Sequence, residues 1–140
     1  MLDRVATGYN RIWDQRYEDA VVEFSMIDVL PMKKSDQPLV KSKLFTQLDP
    51  TLRDLLLTVL LSLARLIRHV HYKIYNETSR FQDASKVAQA KYLKLDEYKE
   101  LLQRLVLYLD LLRSSVADQN TVERANEIAE ECRRIQIEIA

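Results

Sequence analysis

Few residues in this chain combine type and spacing in a way that could run a reaction. The two histidines, His69 and His71, are two positions apart. On a helix such residues point about 200° apart, so they cannot hold one metal ion between them. No Glu-x-x-His pair exists, which removes the ligand pattern of di-iron helical bundles. Carboxylates do recur at helical spacing: Glu97 with Glu100, and Glu127 with Glu130 or Glu131. Glu-x-x-Glu pairs on neighbouring helices are how helical nucleotide pyrophosphatases hold magnesium. A magnesium-dependent pyrophosphatase using Glu97, Glu100, Glu127 and Glu130 is therefore the enzymatic alternative, and it requires the four to converge in one cleft. The bland alternative is that they form solvated helix faces. The single cysteine, Cys132, falls on an apolar stripe and reads as a small core residue, not a nucleophile. With one glycine, Gly8, there is no phosphate-cradling loop. No catalytic residue, metal or cofactor is expected.

Basic residues cluster more than acidic ones. Arg65, Arg68, His69 and Lys73 follow one another in one apolar-rich segment, and Lys33, Lys34, Lys41 and Lys43 crowd the stretch before it. Lys86, Lys91 and Lys94 line a region poor in acids and carrying Tyr92. Arg65, Arg68, Lys73, Lys86, Lys91 and Lys94 are the candidates for contact with the phosphates of RNA or DNA. Aromatic residues are also numerous for the size of the chain. Tyr72, Tyr75, Phe81, Tyr92, Tyr98 and Tyr108 are the candidates for an exposed patch that meets a protein partner or a second copy of the chain.

The elements that carry these residues are helical. Glycine occurs once and proline three times in 140 residues, far below what sheets and hairpins need, while helix formers are abundant. The centre is Leu52 to Tyr75. Its polar residues Asp54, Thr58, Ser62, Arg65, His69 and Lys73 step by three or four, which puts them in one stripe of an otherwise apolar cylinder. A first helix is expected from about Thr7 to Leu30, with Tyr9, Ile12, Trp13, Tyr17, Ala20, Val21, Phe24, Ile27 and Leu30 on its buried face, ended by Pro31. An exposed loop follows over 31–38. A short helix carrying Leu39, Val40, Leu44, Phe45 and Leu48 then crosses one end. Asp49-Pro50 should start the second helix, running to about Asn76.

The third helix is expected from about Asp83 to Val116. Leu95, Tyr98, Leu102, Leu105, Leu109, Leu112 and Val116 form a heptad seam within it, and Glu100 and Arg104 pair on its wet side. Its first part either projects or bends near Leu95-Asp96. Asn120 with Glu123 suggests a capping box for a fourth helix over 121–139. The expected fold is one all-α domain over 1–140: an antiparallel four-helix bundle with a long third helix and a loop or short helix between the first two.

Charge and hydropathy narrow the class. Twenty-one basic residues balance twenty-one acidic ones, which disfavours generic salt-driven nucleic-acid binding but allows a local basic patch. The N-terminus opens without the apolar region of a secretory signal. The apolar run 55–67 is shorter than the roughly 20 residues a bilayer needs, so a cytoplasmic location and no membrane contact are expected.

Three segments resemble a known family. The chain reads Val40-Lys41-Ser42-Lys43-Leu44-Phe45-Thr46 before its apolar helix. In the third helix it reads Lys91-Tyr92-Leu93-Lys94-Leu95-Asp96, continuing to Gln103-Arg104-Leu105. In the fourth it has Glu127-Ile128 and then Arg133-Arg134-Ile135. This order is similar to the accessory variability determinant proteins of diversity-generating retroelements, and to the related four-helix proteins encoded within ribosomal RNA intervening sequences. Val40 stands where that pattern has proline, and the chain is neutral where the family is basic. The resemblance implies a non-catalytic accessory protein that assembles as a homo-oligomer and binds a reverse transcriptase and its RNA. A structural subunit of a larger assembly is the remaining alternative.

Overall fold

A helix that is apolar nearly all round has to be wrapped by others, and the architecture follows from that requirement. The structure, a computed structural model, describes residues 1–80, 86–116 and 118–140; side chains are described for all of these except 77–80 and 86–94. Among the described residues there are six helices and no strand: α1 (Leu2–Trp13), α2 (Tyr17–Ser25), α3 (Pro38–Thr46), α4 (Pro50–Arg80), α5 (Lys86–Ser115) and α6 (Gln119–Glu138). None is long and apolar enough to cross a membrane.

The central helix is α4. Asp49 caps it, its Oδ1 accepting the Leu52 N–H at 3.0 Å, with Pro50 at the first helical position. Leu56, Leu57, Val59, Leu60, Leu63, Ala64, Ile67 and Val70 have no exposed surface. Burying one such leucine contributes about 1.5–3 kcal/mol. α2, α5 and α6 supply the cover. Side-chain pairs give the directions. Asp54 meets Arg124 at 2.5 Å, Arg65 meets Glu131 at 4.0 Å and Arg68 meets Glu138 at 3.8 Å, so α6 runs parallel to α4. Asp110 meets Arg133 at 2.7 Å and Arg113 meets Asn126, so α5 and α6 are antiparallel. The polar stripe of α4 faces out as its spacing requires: Asp54, Thr58, Arg65, His69 and Lys73 are exposed and Ser62 is half-buried.

The expected first helix is two helices. The chain reverses at Asp14–Arg16, where Gln15 takes a left-handed φ of 61°. The reversal is closed by Asp14 N–H to the Asn10 carbonyl and Arg16 N–H to the Arg11 carbonyl. Glutamine gains nothing from this conformation, which costs on the order of 1 kcal/mol. The turn is held by what it brings together. α1 folds back on α2, Arg4 reaches Glu23 at 3.3 Å, and the bare backbone of Gly8 lies under the Phe24 ring. The reversal also leaves Trp13, expected in the core, 86% exposed.

Other boundaries shift for local reasons. α2 stops at Ser25, and Ile27, Val29, Leu30, Pro31 and Met32 are buried as a non-helical strap beneath α5. The Arg104 guanidinium donates to the Met32 carbonyl at 2.9 Å, and the Tyr108 hydroxyl to the Val29 carbonyl at 2.9 Å. Glu100 therefore pairs with Lys34, at 3.3 Å, in place of Arg104. In α3 only Phe45 is a fully buried apolar residue, packed edge-on to Tyr108, while Leu39, Val40 and Leu44 are exposed. α4 continues past Asn76 to Arg80, and α5 passes Leu95-Asp96 without a break. α6 is capped by Asp118, whose carboxylate accepts from the Asn120 N–H at 3.3 Å and the Thr121 hydroxyl at 2.8 Å. Asn120 and Glu123 form no capping box.

Gly8 gives the sharpest test of this packing. A Cβ there would lie 2.7 Å from Cδ1 and Cζ of Phe24, whose ring is fully buried and cannot swing away. Alanine gains about 1 kcal/mol of helix propensity, but overpacking costs about 1–3 kcal/mol. Gly8→Ala should lower the urea unfolding free energy by up to about 2 kcal/mol, and Phe24→Leu in the same chain should remove most of that penalty. A stabilising Gly8→Ala would contradict the docking of α1 on α2.

Candidate basic groove beside the central helix

The polar stripe of α4 forms one wall of a groove of about 690 Å³, and α1 with the start of α2 forms the other. Arg65, Arg68, His69 and Lys73 come from α4, with Ser62, Leu66, Tyr72 and Asn76 around them. The opposite wall is Tyr9, Ile12 and Tyr17, and the reversal at Gln15 lets α1 and the start of α2 share it. Among the described residues, none that lines it carries a carboxylate.

The walls are fixed by contacts made before any ligand arrives. The Tyr9 hydroxyl and the Ser62 hydroxyl share a hydrogen bond of 2.9 Å, and the Tyr9 ring meets Phe24 edge-on at 5.4 Å. The Tyr17 ring lies tilted on His69 with centroids 4.3 Å apart. The cations are held loosely. Arg65 has its nearest carboxylate, Glu131, at 4.0 Å, and Arg68 has Glu138 at 3.8 Å; Glu138 also accepts the Tyr72 hydroxyl at 3.1 Å. Lys73 makes no ion pair among the described residues. Long surface pairs of this kind contribute little and are readily exchanged for a better anion. Guanidinium and ammonium groups suit phosphate oxygens, and tyrosine rings suit flat apolar groups.

Of the expected site residues, Arg65, Arg68, Lys73 and Tyr72 come together here. The side chains of Lys86, Lys91, Tyr92 and Lys94, and all of Phe81, lie outside the described residues. Tyr75 is 52% exposed and lies off the groove, its ring parallel to that of His71. Tyr98 is half-buried against Val70, Ile74 and Leu95, and burial pushes its phenol up to about 12. Tyr108 is no surface residue: it is fully buried, and burial raises its phenol strongly. Tyr9, Ile12, Tyr17 and Ser62 enter the site without having been singled out for it. Both tyrosines sit on the apolar face of what reads as one long helix, and only the turn at Gln15 redirects them.

The carboxylates of the enzymatic alternative are distributed over separate surfaces. Glu97 and Glu100 line a groove between α2 and α5 with Glu18, Lys33 and Lys34. Glu127 lines another between α4 and α6 with Asp54 and Arg124, and Glu130 is exposed and lines neither. Among the described residues no group of three or more His, Cys, Asp or Glu side chains is arranged to hold a metal ion. Cys132 is fully buried, and burial pushes its thiol up to about 12. Comparison with protein-family models, curated proteins and solved structures finds no match to this chain.

His71 is buried on the far side of α4 from the groove cations, and its Nδ1 has no hydrogen-bond partner among the described residues. Burial, and secondarily the charge of Lys99, hold its pKa below the ordinary histidine value of 6.5. The unfolded chain therefore takes up this proton first as pH falls. Stability should be full above about pH 6.5 and decline below it, by at most about 1.4 kcal/mol per pH unit, down to the lowered folded pKa. His71→Gln should flatten that slope in urea unfolding between pH 7 and 5; an unchanged slope would assign the acid sensitivity to other groups.

Proposed function

We propose that this chain is a non-catalytic accessory protein that self-associates and docks a ribonucleoprotein partner through the groove beside α4. In this reading α2, α4, α5 and α6 act as a four-helix bundle in which α5 runs antiparallel to α6 and α6 parallel to α4, with α1 as a buttress and α3 as a cap. One observation carries the nucleic-acid part. The chain as a whole balances 21 basic against 21 acidic residues, yet among the described residues the groove is lined by Arg65, Arg68 and Lys73 and by no acid. That local excess is what a phosphate backbone needs, without the net charge that would make binding indiscriminate. The resemblance to retroelement accessory proteins extends the reading to a reverse transcriptase and its RNA as the partner. Exposed Trp13, Val22, Leu107 and Ile137 support self-association, since each leaves at least half of its surface in water.

Two measurements test the parts separately. Binding of a fluorescent RNA oligomer should follow log salt with a slope of about −0.7 per phosphate contact. Arg65→Ala, Arg68→Ala and Lys73→Ala combined should reduce that slope by about 2 and weaken binding, while the circular dichroism spectrum stays unchanged. Unaltered affinity and slope would remove the groove from the proposal. Sedimentation velocity should give species at multiples of 16.5 kDa across the micromolar range, and a single 16.5 kDa species throughout would remove self-association.

A further inference from the structure

We infer that the groove is built for unpaired nucleotides, so that the ligand it takes is a single strand and not a duplex. This rests on the nucleic-acid reading above and names the class of ligand within it. A duplex presents its phosphates outward and keeps its base faces stacked inside. A surface made for it needs cations and little else. Here the lining also includes Tyr9, Ile12, Tyr17 and Leu66, whose rings and aliphatic groups give an apolar wall that a phosphate, served by cations and hydroxyls alone, does not need. A ligand that uses both kinds of wall must carry charge along one side and expose flat apolar faces along the other. Unstacked nucleotides do this, because their bases can be splayed onto aromatic side chains while the backbone follows a basic track.

The geometry of the cations favours a strand over a single nucleotide. Arg65 and Arg68 lie three positions apart on α4, and Lys73 lies five positions further. At 1.5 Å rise per residue the three cover about 12 Å along the helix axis, which is a track and not a point. The facing wall is pre-organised. Tyr9 is tied to Ser62 at 2.9 Å, and Tyr17 is seated on His69, so little side-chain entropy remains to be lost when a base stacks. A groove of about 690 Å³ has room for bases as well as for phosphate edges.

The experiment compares three probes of equal nucleotide number at one salt concentration: a single-stranded RNA, the matching single-stranded DNA, and an RNA duplex. The unmodified full chain should bind both single strands within about tenfold of each other, and either at least tenfold more tightly than the duplex. Tyr17→Leu and Tyr9→Leu keep apolar bulk and remove the rings. Each should weaken single-strand binding by about 5- to 100-fold and leave duplex binding unchanged, whereas Tyr17→Phe should retain the tight binding. Circular dichroism and urea unfolding identify any variant that loses its fold, and Tyr17→Phe then carries the comparison. Equal affinity for single strand and duplex, with Tyr17→Leu without effect while the triple alanine variant still weakens binding, overturns this inference and leaves the docking reading standing. Absence of binding to all three probes overturns both.

Discussion

The structure depends on the burial of α4. A helix with leucine, valine or isoleucine on almost every side can be stable in water only if other helices cover it, and it leaves them one strip they cannot cover. That strip is set by residues whose side chains must stay wet: Asp54, Thr58, Arg65, His69 and Lys73. Hydrophobic burial therefore determines where the three main companions pack, and the polar stripe determines where they stop. The groove lies along that limit.

The two ends of the stripe are treated differently. At the N-terminal end α6 pairs with it: Arg124 reaches both the Asp54 carboxylate and the Thr58 hydroxyl, the latter at 2.9 Å. At the C-terminal end the carboxylates of α6 stand at 3.8–4.0 Å from Arg65 and Arg68, and Lys73 makes no ion pair among the described residues. The same helix pair thus makes a close polar contact at one end and a looser one at the other. The strap at 27–32 and the α5–α6 clamp around Asp110 hold the far side of the bundle, where Tyr108 and Arg104 satisfy backbone carbonyls that no helix does. Rigidity there lets the groove side remain exposed without loss of the core.

Much of this is legible in the residues themselves. The spacing of the α4 stripe, the Asp49-Pro50 start, the heptad of α5 and the apolar set of α6 each depend on local periodicity, and each appears where its pattern puts it. What is not legible depends on contacts between distant residues. Nothing about Gln15 marks a turn, because glutamine has no preference for positive φ; the reversal is stabilised by Gly8 meeting Phe24, which no local window contains. Tyr108 looks like a surplus aromatic until the Val29 carbonyl, 79 positions away, takes its hydroxyl proton. The cations of the groove are readable as a cluster on one helix, but its aromatic wall is not, since Tyr9 and Tyr17 reach it only through the unmarked turn.

The central claim is that the uncovered stripe of α4, faced by α1, is a recognition surface for nucleic acid. The most direct measurement is an NMR titration of isotope-labelled protein with a short single-stranded RNA. Binding in the groove requires shifts at Tyr9, Ile12, Tyr17, Ser62, Arg65, His69 and Lys73, with the α5–α6 face around Asp110 and Arg133 silent. Saturable shifts confined to α3 or to that opposite face, with the groove residues unmoved, would contradict it.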